Sequence, residues 1–307
     1  LQVLRTTQGR MRDAQAILKQ TEPYWSDPKL AREPLLLVLR RNSLALQIRL
    51  SQWQDVEPRA RALLADMDRQ LGPGNDMAAG LRIELGRLFT DMGDYDKALA
   101  QRAENLAVAE AAQVRQAPLE LRTRSYLVLA QAQAHAASPD TLRRAARELL
   151  ADLKRQRAAL AYMAGDLYIF VARIALVIDD KALATEVMAA VKADTGLQLD
   201  RDPVLASRMA LVEGEVARLQ GDLARSQTLL RQRMESFERN GDKVLMPSWM
   251  AALDLAWTLV LMNDPRAEGA LAEAASRRPE GIPQGHPLDL VTAYLQARRM
   301  GDTVAAA

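Results

Sequence analysis

Two histidines, one pair of adjacent aspartates and one arginine-rich run are the residues of this sequence whose chemistry can be named at once. An imidazole can serve as a base or a metal ligand near neutral pH. His135, however, stands alone on a helical pattern, and His286 precedes Pro287 in a junction, so both read as structural. Asp179-Asp180 has no further carboxylate at ligand spacing and reads as a helix cap rather than a cation site. Arg143, Arg144, Arg147, Lys154, Arg155 and Arg157 make a basic helix face, diluted by Glu148 and Asp152, which reads as a solvated face rather than a nucleic-acid patch. The absence of Cys removes thiolate ligands and cysteine nucleophiles together. No phosphate-binding loop, dinucleotide glycine pattern, His-Glu-x-x-His or Gly-x-Ser-x-Gly occurs. The expectation is a chain without catalysis, cofactor or metal.

The elements that carry these residues follow from composition. The 307 residues are 49% hydrophobic but only 4% aromatic, so a large core must be built from Leu, Ala, Val and Met, which favour helix over strand. Lys+Arg number 41 against 39 Asp+Glu, a net charge of +2, which excludes a general attraction to nucleic acid. No uninterrupted apolar stretch of about 18 residues exists; the longest, Leu167 to Ile178, is broken by Arg173. The first residues open inside an amphipathic pattern without an initiator Met, so the chain reads as a fragment of a longer protein.

An internal period organises the whole sequence. Leu85, Gly86 and Phe89 share one helical stripe, Met92-Gly93-Asp94 makes a turn, and Tyr95, Ala98, Leu99 and Leu106 form a second stripe. Gly93 suits a left-handed helix end and Asp94 can cap the next helix. Steps of 42 residues from Gly93 reach Ser51 and Gly9 backwards. Forwards, with a two-residue insertion placed before Ala137, they reach Ala137, Asp179, Gly221 and Asn263. The residues seven before the last six turns are Leu44, Gly86, Ala130, Ala172, Gly214 and Ala256, mostly small, as close helix crossings need. A second set of breakers, at 71–76, Pro118, 200–203, 240–242 and 282–287, separates one hairpin from the next. The expected organisation is one array over 1–307, with hairpins at 1–23, 31–72, 77–114, 119–157, 159–196, 203–240 and 245–279 and a capping helix at 288–299.

The segment Leu81–Leu106, through Gly86, Phe89, Gly93, Tyr95 and Ala98, resembles the tetratricopeptide repeat. The 42-residue spacing and the junctions LGPGND and GHPLDL are similar to its kinesin-light-chain type, found in bacterial signalling proteins. The resemblance implies an all-α, right-handed α-solenoid, a non-catalytic scaffold whose first helices line a groove for a peptide or partner domain. It places Arg41, Arg49, Arg87, Arg124, Arg173, Arg208 and Arg218 in that groove, with acids at Asp91, Asp166 and Glu215. Leu253 and Trp257 then form an apolar anchor near the C-terminal end, unless the last helix packs there instead. Arginine forks bind carboxylates in bidentate fashion, so the expected partner is a protein or peptide with acidic character.

The alternative is the C-terminal sensory or effector-binding array of a bacterial transcription regulator or Ser/Thr kinase. The expected compartment is the cytoplasm, with the periplasm open if the array follows a membrane segment.

Overall fold

In the computed structural model, residues 11–24, 33–72, 74–111, 117–160, 163–242 and 245–300 are described. The expected turn at Gly9 and parts of the first two hairpins lie outside them. Every regular element among the described residues is helical. The α-helices are α1 (Met11–Thr21), α2 (Pro34–Arg49), α3 (Val56–Leu71), α4 (Asp76–Asp91), α5 (Tyr95–Ala111), α6 (Ala117–Gln133), α7 (Pro139–Arg155) and α8 (Arg157–Leu160). They continue with α9 (Ala164–Val177), α10 (Lys181–Ala193), α11 (Pro203–Gln220), α12 (Leu223–Asn240), α13 (Met246–Leu261), α14 (Ala267–Ser276) and α15 (Pro287–Arg299).

The first helices end alike. Ser51, Gly93, His135, Asp179, Gly221 and Asn263 all have positive φ. Beside each, the next amide donates to the carbonyl five residues back: Gln52 to Gln47, Asp94 to Phe89, Ala136 to Gln131, Asp180 to Ala175, Asp222 to Ala217 and Asp264 to Leu259. This is the Schellman closure, which satisfies carbonyls the helix would leave open. Its recurrence at one position per repeat is the period made visible in the backbone. It also corrects the fourth turn: the left-handed residue is His135, not Ala137, so the 42-residue step from Gly93 is unbroken. The extra residues sit between His135 and the cap Ser138, and the residue seven before the turn is Val128. Three second helices, α7, α10 and α12, start on side-chain caps, with Ser138, Asp180 and Asp222 accepting from the amides of Thr141, Leu183 and Arg225.

The chain divides into two compact units, Leu1–Gln116 and Ala117–Ala307, where the sequence reading expects one array. In the first unit α2 packs on α3 and α4, α3 on α4, and α4 on α5. In the second, α6, α9, α11 and α13 are the first helices. Each packs on its own second helix and on the next first helix, and each second helix packs on the next hairpin. That neighbour-to-neighbour pattern is what an α-helical repeat solenoid requires. The second unit's core runs between the layers, with Leu149, Leu150, Leu153, Leu167, Val171, Leu183, Val187 and Val212 at most 1% exposed. Truncating any of these leucines to Ala would cost about 2–5 kcal/mol. Trp249 and Trp53 are buried as well, the latter donating its indole N–H to the Ile48 carbonyl at 3.1 Å. The last helix, α15, closes the second unit by packing on α13, and Leu295 is fully buried there.

Candidate functional site

The arginines singled out in the sequence lie on first helices, and most face an internal acid. In the first unit, Arg49 Nη2 on α2 donates to Glu84 Oε1 on α4 at 2.7 Å. Arg87 reaches Asp91 one turn on at 3.3 Å, and Arg41 donates twice to the Asn42 side chain, at 3.2 and 2.8 Å. Burial pushes the Glu84 carboxyl up, but the guanidiniums of Arg49, Arg87 and Arg102 outweigh it and hold its pKa below the ordinary value.

In the second unit, Arg124 on α6 meets Asp152 on α7 at 3.1 Å. Arg208 on α11 pairs with Asp166 on α9, one repeat away. Arg218 Nη2 donates to Asp254 Oδ1 on α13 at 2.8 Å, and its guanidinium lies 4.1 Å from the centre of the Trp257 ring. Arg173 on α9 is half-buried and has no hydrogen bond or ion pair among the described residues. Its charge acts on Glu215, which is 7% exposed on α11. Burial first, then the neighbouring Asp254 charge, push the Glu215 pKa up to about 8.

The apolar anchor expected near the C-terminal end is used within the fold. Leu253 is 3% exposed and belongs to the core of the α13 layer. Trp257 carries Arg218 on its face and meets the Tyr294 ring of α15 edge-on, with centroids 6.3 Å apart. The capping helix therefore meets this surface, which is the second of the two alternatives the sequence offered for it.

The remaining candidates have structural partners. His135 is the left-handed residue of its turn. His286 caps α15, accepting from the Leu288 amide at 3.1 Å, and its ring lies 5.3 Å from Trp249. Asp180 caps α10 and also binds Arg143. The basic run on α7 and α8 is largely spent on acids: Arg143 on Asp180, Arg147 on Glu186, Arg155 on Asp152 and Arg157 on Asp194. No cluster of three or more metal-ligating side chains occurs among the described residues. No described helix is long and apolar enough to cross a membrane.

Glu84, Asp254, Asp152 and Tyr294 are the members of these clusters that the sequence reading missed. The signal for two of them was present as spacing. Arg49–Glu84 and Arg218–Asp254 lie 35 and 36 residues apart, within two residues of the 37 that separate Arg143 from Asp180. A cation followed one hairpin later by an acid is how adjacent like-ordered helices pair.

Together the fold and these faces define an α-helical repeat protein whose first helices present a mixed-charge surface. The chain matches no protein-family model and no curated protein.

Proposed function

We propose that the chain is a non-catalytic interaction scaffold of tetratricopeptide-repeat character, holding a peptide or partner domain against the first-helix face of its hairpins. The observation that carries this reading is the Asp166–Arg208 pair. The two residues occupy the same position in successive repeats, 42 residues apart, on the neighbouring helices α9 and α11. Their side chains are 40% and 41% exposed, so this position forms a short solvent-facing polar row across α9 and α11. Val177, at the end of α9, adds an exposed apolar position to the same face. Such a row recognises an extended chain by its charge pattern and works by holding it, with no bond made or broken. Arginine, bound to an internal acid through one nitrogen, retains further donors for a ligand carboxylate, which favours an acidic partner.

Site-specific photo-crosslinking tests this. A crosslinker at Val177 should capture a defined protein in the source cell, and one at Glu186 on the second-helix face should not. Capture at Glu186 with none at Val177 would reverse the assignment of faces.

A further inference from the structure

The outer sides of two second helices carry charges that their hairpins do not use. On α5 the exposed residues Asp96, Ala100, Ala103, Ala107 and Glu110 recur at intervals of four and three, so they form one stripe along the helix. Asp96 and Glu110 have no hydrogen bond or ion pair among the described residues. Beside the stripe, Glu104 is 52% exposed and accepts from Gln101, with Arg82 no nearer than 3.9 Å. Lys97 is committed to Asp94 at 3.0 Å. The α5 face is therefore acidic, with alanine along its middle.

On α7 the exposed residues Arg144, Arg147, Ala151 and Lys154 follow the same spacing. Arg144 and Lys154 have no hydrogen bond or ion pair among the described residues, and Arg147 comes only within 3.7 Å of Glu186. Of the acids on that helix, Asp140 is held by Arg143, Asp152 by Arg124 and Arg155, and Glu148 lies beside the stripe. The α7 face is basic, again with an alanine between its charges.

The two faces of one chain are thus opposite in charge and alike in relief. Exposed alanines let helix axes approach to about 8 Å and lose no rotamer freedom when covered. At 1.5 Å per residue the acidic stripe is about 21 Å long and the basic one about 15 Å. Acids stand at both ends of the longer stripe, so Arg144 and Lys154 each meet a carboxylate whichever way the helices run. A net charge of only +2 leaves little general repulsion between copies.

We propose that the occupant of each face is a second copy of this chain, α5 of one copy lying along α7 of another, with Asp96 and Glu110 paired to Arg144 and Lys154. Every copy carries both halves, so the contact is heterologous, and copies add until a ring closes or a filament grows. It uses the second-helix side of the hairpins and is independent of what the first helices hold.

Sedimentation velocity of the full chain over a concentration series tests this. It is run at about 0.01 M ionic strength, where charges act over about 30 Å, and at about 1 M, where they act over about 3 Å. Wild type should associate in the first condition and dissociate in the second. Asp96→Lys/Glu110→Lys carries two basic faces and Arg144→Glu/Lys154→Glu two acidic ones, and each alone should associate about tenfold more weakly or less. An equimolar mixture of the two variants should regain association, because the intact α7 face of the first meets the intact α5 face of the second. All four positions are exposed, so thermal unfolding should show both variants folded as wild type. Wild type that stays monomeric at low ionic strength overturns the proposal and leaves the two faces to unlike partners. Association that neither variant weakens, or variants that stay apart when mixed, overturns the pairing of α5 with α7. A crosslink through Glu186, beside Arg147, that joins two copies of this chain would support this contact, and its mass distinguishes it from a partner of the scaffold.

Discussion

The guanidinium of Arg102 occupies the space where a side chain on Gly86 would begin. A β-carbon built on Gly86 would stand 2.5 Å from Arg102 Cζ and 2.6 Å from its Nε. Arg102 is 3% exposed and donates to the Ile83 carbonyl at 2.6 Å, so it cannot swing aside without losing that bond. The small residue that the repeat pattern demands on α4 here admits an arginine from α5.

Gly86→Ala therefore sets two effects against each other. Alanine gains roughly 1 kcal/mol of helix propensity over glycine, while displacing a buried, hydrogen-bonded guanidinium costs about 2–3 kcal/mol. A net loss of about 1–2 kcal/mol in urea unfolding is expected. In an Arg102→Ala background the clash is gone, and the same change should stabilise the chain. Equal effects in both backgrounds would contradict the contact.

Glu215 makes the second unit less stable as pH rises. Its folded pKa of about 8 lies above its ordinary value of 4.5, so between those values the unfolded chain has released the proton that the folded chain still holds. Stability must fall with pH across that window, by an amount on the order of a few kcal/mol. Thermal unfolding of Glu215→Gln should show a flatter pH dependence between pH 5 and pH 8 and a higher midpoint than wild type at pH 8.

Glu84 acts in the opposite sense. Its pKa is lowered in the fold because Arg49, Arg87 and Arg102 outweigh the effect of its burial. The stabilisation is present above the unfolded value near 4.5 and is lost as pH falls through the folded one. Since Arg49 is 34% exposed, Glu84→Gln should cost about 1–3 kcal/mol at neutral pH. The difference from wild type should shrink steadily as pH falls below about 4.5, which chemical unfolding across the acid range would show.

An ion pair braces α15 at its start. Arg278 Nε and Nη2 each donate to a separate oxygen of Asp289 at 2.9 Å, and Arg278 also holds the Ile282 and Pro283 carbonyls. Arg278→Ala should leave the helix in place through Leu295 but raise hydrogen exchange across Pro287–Arg299 by about tenfold, the effect of a local loss of about 1.4 kcal/mol. Unchanged protection would show that the Trp257–Tyr294 and Leu295 contacts suffice.

Several elements were legible without coordinates. Gly93, Gly221, Ser51, Asp179 and Asn263 are all left-handed helix ends, as the register required. The fourth was misplaced because His135 carries no turn signature of its own, whereas Ser138-Pro139-Asp140, just downstream, carries a strong one that belongs to the start of α7. Arg49, Arg124 and Arg218 were placed on the right helices but read without Glu84, Asp152 and Asp254, since the sequence lists residues of one helix together while each of these acids comes from another helix.

By itself the sequence determined the helices, their turns and their 42-residue order, because capping, glycine conformation and apolar periodicity act over a few residues. Only the tertiary structure decided which arginines are neutralised, that Leu253 is core, that Tyr294 meets Trp257, and that Glu215 is buried, which raises its pKa. Those outcomes depend on distances between helices 35–42 residues apart and on the loss of water around them, and neither is written in local spacing.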